Sequence, residues 1–311
     1  MPKKILIIGG TRFLGLAIAK PLIAKKYEVY EMNRGTRAPA NGIVEQIICD
    51  KADRATFAKV LKRCRWDVII DTILTDEDIE FVIKTISTNV GHFIHTGSLG
   101  VYGDARQIPA TESMPISEYE GEEVVFNYKI RQDQVIMRAF QEQGFPGTIM
   151  RMSYIYGPGD MLLNGWGGRN SEFFRMLYNG KTIPLPNDGR ALLHPGHVKD
   201  LGRSFLHAAE RPASIGQIYN ICGHNALMMK DYIAITAKIM GVKANIEFKS
   251  IKEICKSFPT ITNERGMKFS CQHMCASITK AEFELDWRPE ISLETGLREN
   301  IEWMKSQGLL D

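Results

Sequence analysis

The sequence predicts an α/β fold, a doubly wound parallel sheet followed by a smaller C-terminal lobe. Three observations predict it. Apolar segments of strand length alternate with segments of helical periodicity over the first half of the chain, and neither a low-complexity linker nor an internal repeat interrupts them. The first strand breaks into a glycine turn and then into an apolar-faced helix. After Gly157-Pro158-Gly159 the texture changes to loops containing Gly, Asn and Pro. The sheet domain is therefore expected to take residues 1–158 with about 190–222, and the lobe residues 159–189 with 223–311.

The elements follow in order. Lys3–Ile8 is an apolar run of strand length, and helical spacing begins at Phe13 and reaches Lys25. Pro21 falls inside that helix, where it removes the amide that would bond Ala17 and costs about 3 kcal/mol in an ideal interior. A kink or an early helix end is expected there. Short apolar runs predict strands at Glu28–Met32, Val44–Ile48, Asp67–Ile70, His92–Thr96 and Thr148–Met152. Between them, helical spacing covers Arg54–Lys62, Glu77–Thr85 and Val125–Glu142. This alternation is that of a Rossmann sheet, whose ligands sit outside the carboxyl ends of the strands.

The first turn, Gly9-Gly10-Thr11-Arg12-Phe13-Leu14-Gly15, reads as a dinucleotide-binding start. Gly9 permits the tight turn, Gly15 lets helix and strand pack closely, and the amides of Thr11, Arg12, Phe13 and Leu14 face a pyrophosphate. Arg12 stands where the usual pattern has its middle glycine, which puts a cation beside the phosphates. The end of the second strand selects the cofactor. An acidic residue there would accept from a ribose 2′-hydroxyl, whereas a 2′-phosphate needs a cation. The chain offers Asn33-Arg34, so NADP is expected, with NAD as the alternative if Arg34, Arg12 and Arg37 are solvated surface charges. Asp50 is placed either to meet the adenine edge or to cap the next helix.

Composition narrows the classes. The 311 residues are 44% hydrophobic and 24% charged, with a formal net charge of +3, so a strongly basic nucleic-acid binder is not indicated. No apolar run approaches the roughly 20 residues that span a bilayer. A cytoplasmic protein is expected, with no membrane partner. The six cysteines lack CxxC spacing and read as reduced thiols. Cys271, His273 and Cys275 have no second ligand pair at finger spacing, so no metal is expected.

Several segments together resemble the extended short-chain dehydrogenase/reductases, the nucleotide-sugar epimerases and dehydratases. They are GGTRFLG at 9–15, HTGSLGVYGD at 95–104, TIMRMSYIYGPGD at 148–160, GHVKDL at 196–201, GQIYNICG at 216–223 and ITKAEFELDWRPE at 278–290. The Arg12 form, with KFSCQHMCASITKAE at 268–282, is most similar to an atypical branch that includes the chloroplast stem-loop RNA-binding proteins. The resemblance implies three site residues: a Ser that orients the substrate oxygen, a Tyr that carries the proton, and a Lys four positions later that holds the nicotinamide ribose and lowers the phenol's pKa. Ser98 falls at the serine position. The Tyr and Lys pair is altered, because Tyr128 is followed at the fourth position by Gln132, and Lys129 is adjacent to it. Adjacent helical residues do not share a face. Lys129 is expected to face the cofactor, Gln132 is not, and substitution of Gln132 is expected to be nearly silent. The resemblance also puts Arg169, Arg175 and Arg190 near the site of a nucleotide diphosphate, Arg169 and Arg190 being the substrate candidates; solvated loop arginines are the alternative. His197 reads as a helix start.

Two functions remain open at this level. One is an NADP-dependent epimerase, dehydratase or reductase that transfers hydride at a carbinol or carbonyl carbon of a sugar-nucleotide or a similar small substrate, an anionic nucleotide-sugar being the partner the resemblance implies. The other is a dinucleotide-binding sensor or RNA-binding protein with little turnover. The retained Ser98 favours the first and the altered Tyr-Lys pair the second. A homodimer is compatible with the resemblance.

Overall fold

A computed structural model describes residues 2–87, 89–103, 105, 107–116 and 127–311. The sheet strands are β1 (Lys4–Ile8), β2 (Glu28–Asn33), β3 (Glu45–Ile48), β4 (Val68–Asp71), β5 (Phe93–Ser98) and β6 (Gly147–Met152), each within about two residues of its expected bounds. Short strands β7 (Tyr154–Tyr156), β8 (Thr182–Pro186), β9 (Leu192–Leu193) and β10 (Pro195–His197) follow, and β11 (Ile218–Ile221) returns to the sheet. The seven strands run in the order β11-β6-β5-β4-β1-β2-β3, and every pair in this sheet is parallel. Parallel pairing buries both faces, which is why β4 and β6 are apolar or buried at every position.

Helices α1 (Phe13–Ala24), α2 (Arg54–Leu61), α3 (Asp76–Ile86) and α4 (Asn127–Gln143) connect the strands. Val125, the expected first residue of the last of these, lies outside the described residues. Asp53 caps α2 by accepting from the Thr56 amide, and Thr75 and Asp78 form a capping box on α3. The cap of α2 is therefore Asp53 and not Asp50, whose carboxylate instead accepts from Ala52 in a turn.

Helix α1 does not stop at Pro21. It continues to Ala24, and the Pro21 carbonyl accepts from the Lys25 amide at 3.1 Å. The Ala17 carbonyl that loses its donor lies against Gly202 of α6 (Val198–Glu210), where an added Cβ would come within 2.5 Å. The proline thus falls where two helices pack at backbone distance, and packing holds the helix that propensity alone would end. His197 caps α6 as expected, its Nδ1 facing the Lys199 amide at 3.4 Å.

Beyond the sheet, α5 (Ser171–Tyr178), β12 (Leu227–Met228), α7 (Met229–Met240), β13 (Asn245–Lys249), α8 (Ile251–Ser257), α9 (Glu264–Ser270), α10 (Thr279–Leu285) and α11 (Leu293–Ser306) complete the chain. Strands β8 and β13 pair in parallel, and β9 pairs with β12. A separate apolar cluster built on Trp166, Phe173, Phe174, Tyr232 and Leu297 fills this part. Two other clusters fill the opposite faces of the main sheet. No described helix is long and apolar enough to cross a membrane.

Candidate functional site

The carboxyl ends of β1, β2, β4, β5 and β6 lie along one edge of the sheet, and the glycine turn, Asn33 and Ser98 stand at the ends of β1, β2 and β5. Gly9 adopts φ +96°, a conformation that disfavours any side chain, and a Cβ on it would strike Thr72 Oγ1 at 2.5 Å. A Cβ on Gly15 would lie 2.6 Å from the Gly9 carbonyl, so α1 and the turn are in backbone contact. Arg12 is extended at φ −137° and its side chain is exposed, so it replaces a glycine without backbone strain. It makes no side-chain cap, and the first turn of α1 carries no acid. The positive end of the helix is therefore left for an external anion. Thr11 and Phe13 are half-buried and Leu14 is buried, and Phe13 lies beside Gly159.

Beneath the turn lies Glu31, which the sequence places two residues before the position of a ribose-binding acid. Glu31 is fully buried, and a Cβ on Gly10 would sit 2.7 Å from its carboxyl carbon. Burial raises its pKa above the ordinary carboxylate range, opposed by the Ala40 amide. At the end of β2, the Asn33 oxygen accepts from the Gly35 amide at 2.8 Å and from Gln46 at 2.9 Å. Its remaining polar group is a donor, the buried Nδ2, which makes no hydrogen bond to a described residue. Arg34 and Asp50 are exposed at the same edge.

Ser98 ends β5 and caps a 3-10 turn at Leu99–Tyr102, its Oγ accepting from the Gly100 amide at 3.1 Å. The hydroxyl proton is free to donate elsewhere. Lys129 reaches back from α4, and its Nζ donates to the Thr96 carbonyl at 2.7 Å. Burial pulls this ammonium below the usual lysine range, while the carboxylates of Asp71 and Asp133 oppose the shift. Tyr128 is 41% exposed, and the Lys129 ammonium lies over its ring, 5.5 Å from the centroid. Partial burial raises the Tyr128 phenol, so it stays protonated at neutral pH.

Gln132 is not peripheral. It is fully buried, accepts from or faces His95 Nε2 at 3.1 Å and donates to the Leu74 carbonyl at 2.5 Å. On the other side of the ring, His95 Nδ1 meets Asp71 at 2.6 Å. A second buried chain runs from Asp133 to Arg151 at 2.9 Å, on to the Tyr102 hydroxyl at 2.7 Å and to Asn220 at 2.8 Å. Burial raises the Asp133 carboxyl despite Arg151 beside it. The role of Gln132 is thus corrected from nearly silent to a buried link, and Asp71, His95 and Arg151 escaped the sequence reading because each sits inside a largely apolar strand; the available signal was a charge, Asp71 or Arg151, at a position the strand pattern buries.

A cavity of about 320 Å³ opens beside Ser98. Its floor is Ser98 with Met152–Ile155, one wall comes from Leu163, Gly167 and Arg169, another from Leu192 and Leu193, and α9 with Gln272 and Met274 forms the roof. Gly167 and Gly266 join wall to roof, and a Cβ on Gly167 would be 2.0 Å from the Gly266 carbonyl. Arg169 is in this lining, stacked on Tyr154 at 4.9 Å and bonded to the carbonyls of Met161 and Ile155. Arg190 is not; it is exposed and pairs with Asp188 at 3.7 Å. Arg175 likewise turns to Ser171 and the Asp311 carbonyl. Among the described residues, no group of three or more His, Cys, Asp or Glu is arranged to hold a metal ion.

Comparison with known proteins agrees with this architecture. The chloroplast stem-loop binding protein of 41 kDa b from Arabidopsis thaliana is 29% identical over 317 aligned positions, covering 96% of this chain and 78% of that protein. The dTDP-L-rhamnose 4-epimerase of Burkholderia thailandensis is 22% identical, covering 98% and 96%. Among solved structures, the UDP-glucose 4-epimerase of Thermotoga maritima with UDP-glucose superposes with a TM-score of 0.76 at 18% identity, covering 98% and 99%. The model of the NAD dependent epimerase/dehydratase family matches residues 5–222, and the chain belongs to that family.

Proposed function

We propose that this protein is an NADP-dependent enzyme of the epimerase, dehydratase or reductase kind, acting by hydride transfer on a sugar-nucleotide or a similar small carbonyl or carbinol substrate. One observation carries the reading: Ser98 lines an open cavity at the sheet edge that also carries the glycine turn and Lys129. The residues present fit a dinucleotide, because the N-terminus of α1 has no side-chain cap and no acid in its first turn, and Gly9 and Gly15 let the turn pack at backbone distance against the helix. When bound, the nicotinamide supplies the hydride chemistry. The protein's own part is positional. Ser98 donates to the substrate oxygen and fixes the reacting carbon, and Lys129 holds the ribose edge from its anchor on Thr96.

The preference for NADP is supported by Asn33 and Arg34. The Asn33 oxygen is spent on Gly35 and Gln46, so the side chain offers a donor where a 2′-hydroxyl needs an acceptor. A 2′-phosphate is met instead by the exposed Arg34 guanidinium. Calorimetric titration with NADPH and NADH tests this, and equal affinities would refute it. The six unpaired cysteines support a reducing, cytoplasmic setting.

A second reading, a cofactor sensor with weak turnover, is favoured by one observation. The Lys129 charge lies over the Tyr128 ring rather than at its hydroxyl, so the phenol gains no activation as a base. Absence of any cofactor-linked turnover across carbonyl and nucleotide-sugar substrates, together with tight cofactor binding, would select it.

A further inference from the structure

We propose that the cavity beside Ser98 takes an uncharged, apolar-bodied secondary alcohol or ketone and does not seat a nucleoside diphosphate. The argument rests on the proposed function only in taking the Ser98 end as the reacting end. Most of the lining is apolar, including Met152, Leu163, Leu193, Met229, Phe269 and Met274. A diphosphate carries charges that must be matched by free donors once water is excluded. Among the described lining residues the only cation is Arg169, and it is already paired with a carboxylate and bonded to two backbone carbonyls. One face of its guanidinium stacks on Tyr154, Nη2 donates to the Ile155 carbonyl at 2.9 Å, and Nη1 bonds the Met161 carbonyl and pairs with Asp160 at 3.2 Å. Asp160 already neutralises that charge. Arg190, the other candidate for a phosphate, lies outside the lining.

The polar groups that do face the cavity are neutral. Ser98 keeps a hydroxyl proton to donate. Gln272 at the roof is a neutral amide. A donor to the substrate oxygen at one end and an apolar body beyond it describe a compact neutral molecule with one oxygen at the reacting carbon. At about 320 Å³ the space is at the small end of the range for small-molecule sites.

The test is calorimetric titration of the whole protein, with NADP⁺ present, using 2-decalone as the uncharged ketone and UDP as the diphosphate. We expect 2-decalone to bind at least tenfold more tightly than UDP. Leu193→Arg, which places a cation in the lining, and Met274→Trp, which fills it, should each weaken 2-decalone at least tenfold while NADPH affinity and melting temperature stay near the parent's. If one variant does not fold, the other carries the comparison. Tighter binding of UDP, no binding of 2-decalone, or 2-decalone binding indifferent to the folded variant would overturn the proposal. None of these outcomes touches the hydride-transfer reading, which fails instead if the protein binds no nicotinamide cofactor or turns over nothing.

Discussion

Gln132→Leu removes the side chain that links two layers beneath the site. Its amide donates to the Leu74 carbonyl and its oxygen faces His95 Nε2, and none of this is exposed to water. Leucine fills similar volume and restores neither bond. A buried polar group left without a partner costs about 1–3 kcal/mol, so two such groups cost roughly 2–6 kcal/mol. Unfolding entropy near the midpoint is about 2.1 cal/mol/K per residue, or roughly 0.65 kcal/mol/K for this chain, which converts the loss into a fall of about 3–9 °C in Tm. Lys129→Met is the counterpart. It removes a buried charge and a single bond to a strand carbonyl, so its Tm should stay within about 2 °C of the parent's, because the desolvation relieved offsets the bond lost. Its NADPH affinity should fall at least tenfold if Lys129 holds the ribose, whereas Gln132→Leu should bind nearly as the parent does. Scanning calorimetry and cofactor titration on both variants check the pattern. A Gln132→Leu protein that melts with the parent would refute the structural role given to Gln132, and an unchanged Lys129→Met affinity would remove Lys129 from the cofactor site.

Three further outcomes are expected. Arg34→Asp should reverse the cofactor order, since each charge-assisted phosphate contact is worth about 1.5–3 kcal/mol, a factor of roughly 10 to 100; titration with both cofactors measures it, and an unchanged ratio would count against Arg34. Tyr128→Phe should slow turnover by less than the roughly 10²-fold minimum that loss of a general acid or base brings, and Ser98→Ala should cost at least as much; the opposite ranking on any turned-over substrate would restore a tyrosine mechanism. His92, buried against Thr148 at 2.7 Å, has its pKa lowered by burial to about 4. The unfolded imidazole takes its proton near 6.5, so the related stability is complete above that pH and is lost as pH falls towards about 4, reaching about 2 kcal/mol at pH 5. Urea melts of the parent and of His92→Gln at pH 5 and 7.5 test this, and an equal acid loss in both would exclude His92 as the cause.

Much of the fold was legible because a parallel sheet writes itself as alternating apolar runs, and β1 to β6 fall where those runs lie. Pro21 was misleading for a reason local propensity does not contain: the Ala17 carbonyl it frees is covered by Gly202, almost two hundred positions away. The glycine turn and Ser98 were legible because their spacing is short and their backbone demands are strict. Gln132 was not, since a glutamine on an amphipathic helix reads as solvent-facing until a buried histidine and an open carbonyl are known to lie opposite it. Arg169 and Arg190 looked alike in sequence, and only the packing of Tyr154, Met161 and Asp160 separates them.

The backbone contact between Gly167 and Gly266 has a consequence for how this scaffold can diversify. The height of the cavity is set there by main chain against main chain, with Gly167 at φ +75° and no space for a methyl group. Any side chain at 167 would strike the Gly266 carbonyl and so must displace main chain in the first turn of α9 rather than change the cavity by one methylene. Gradual adaptation to larger or smaller ligands is therefore confined to the side chains that project inward, such as Leu193 and Met229, where single substitutions change volume in small steps. The glycine pair behaves as a fixed hinge pin in the evolutionary sense: descendants of this chain can retune what the pocket holds while its ceiling stays where it is.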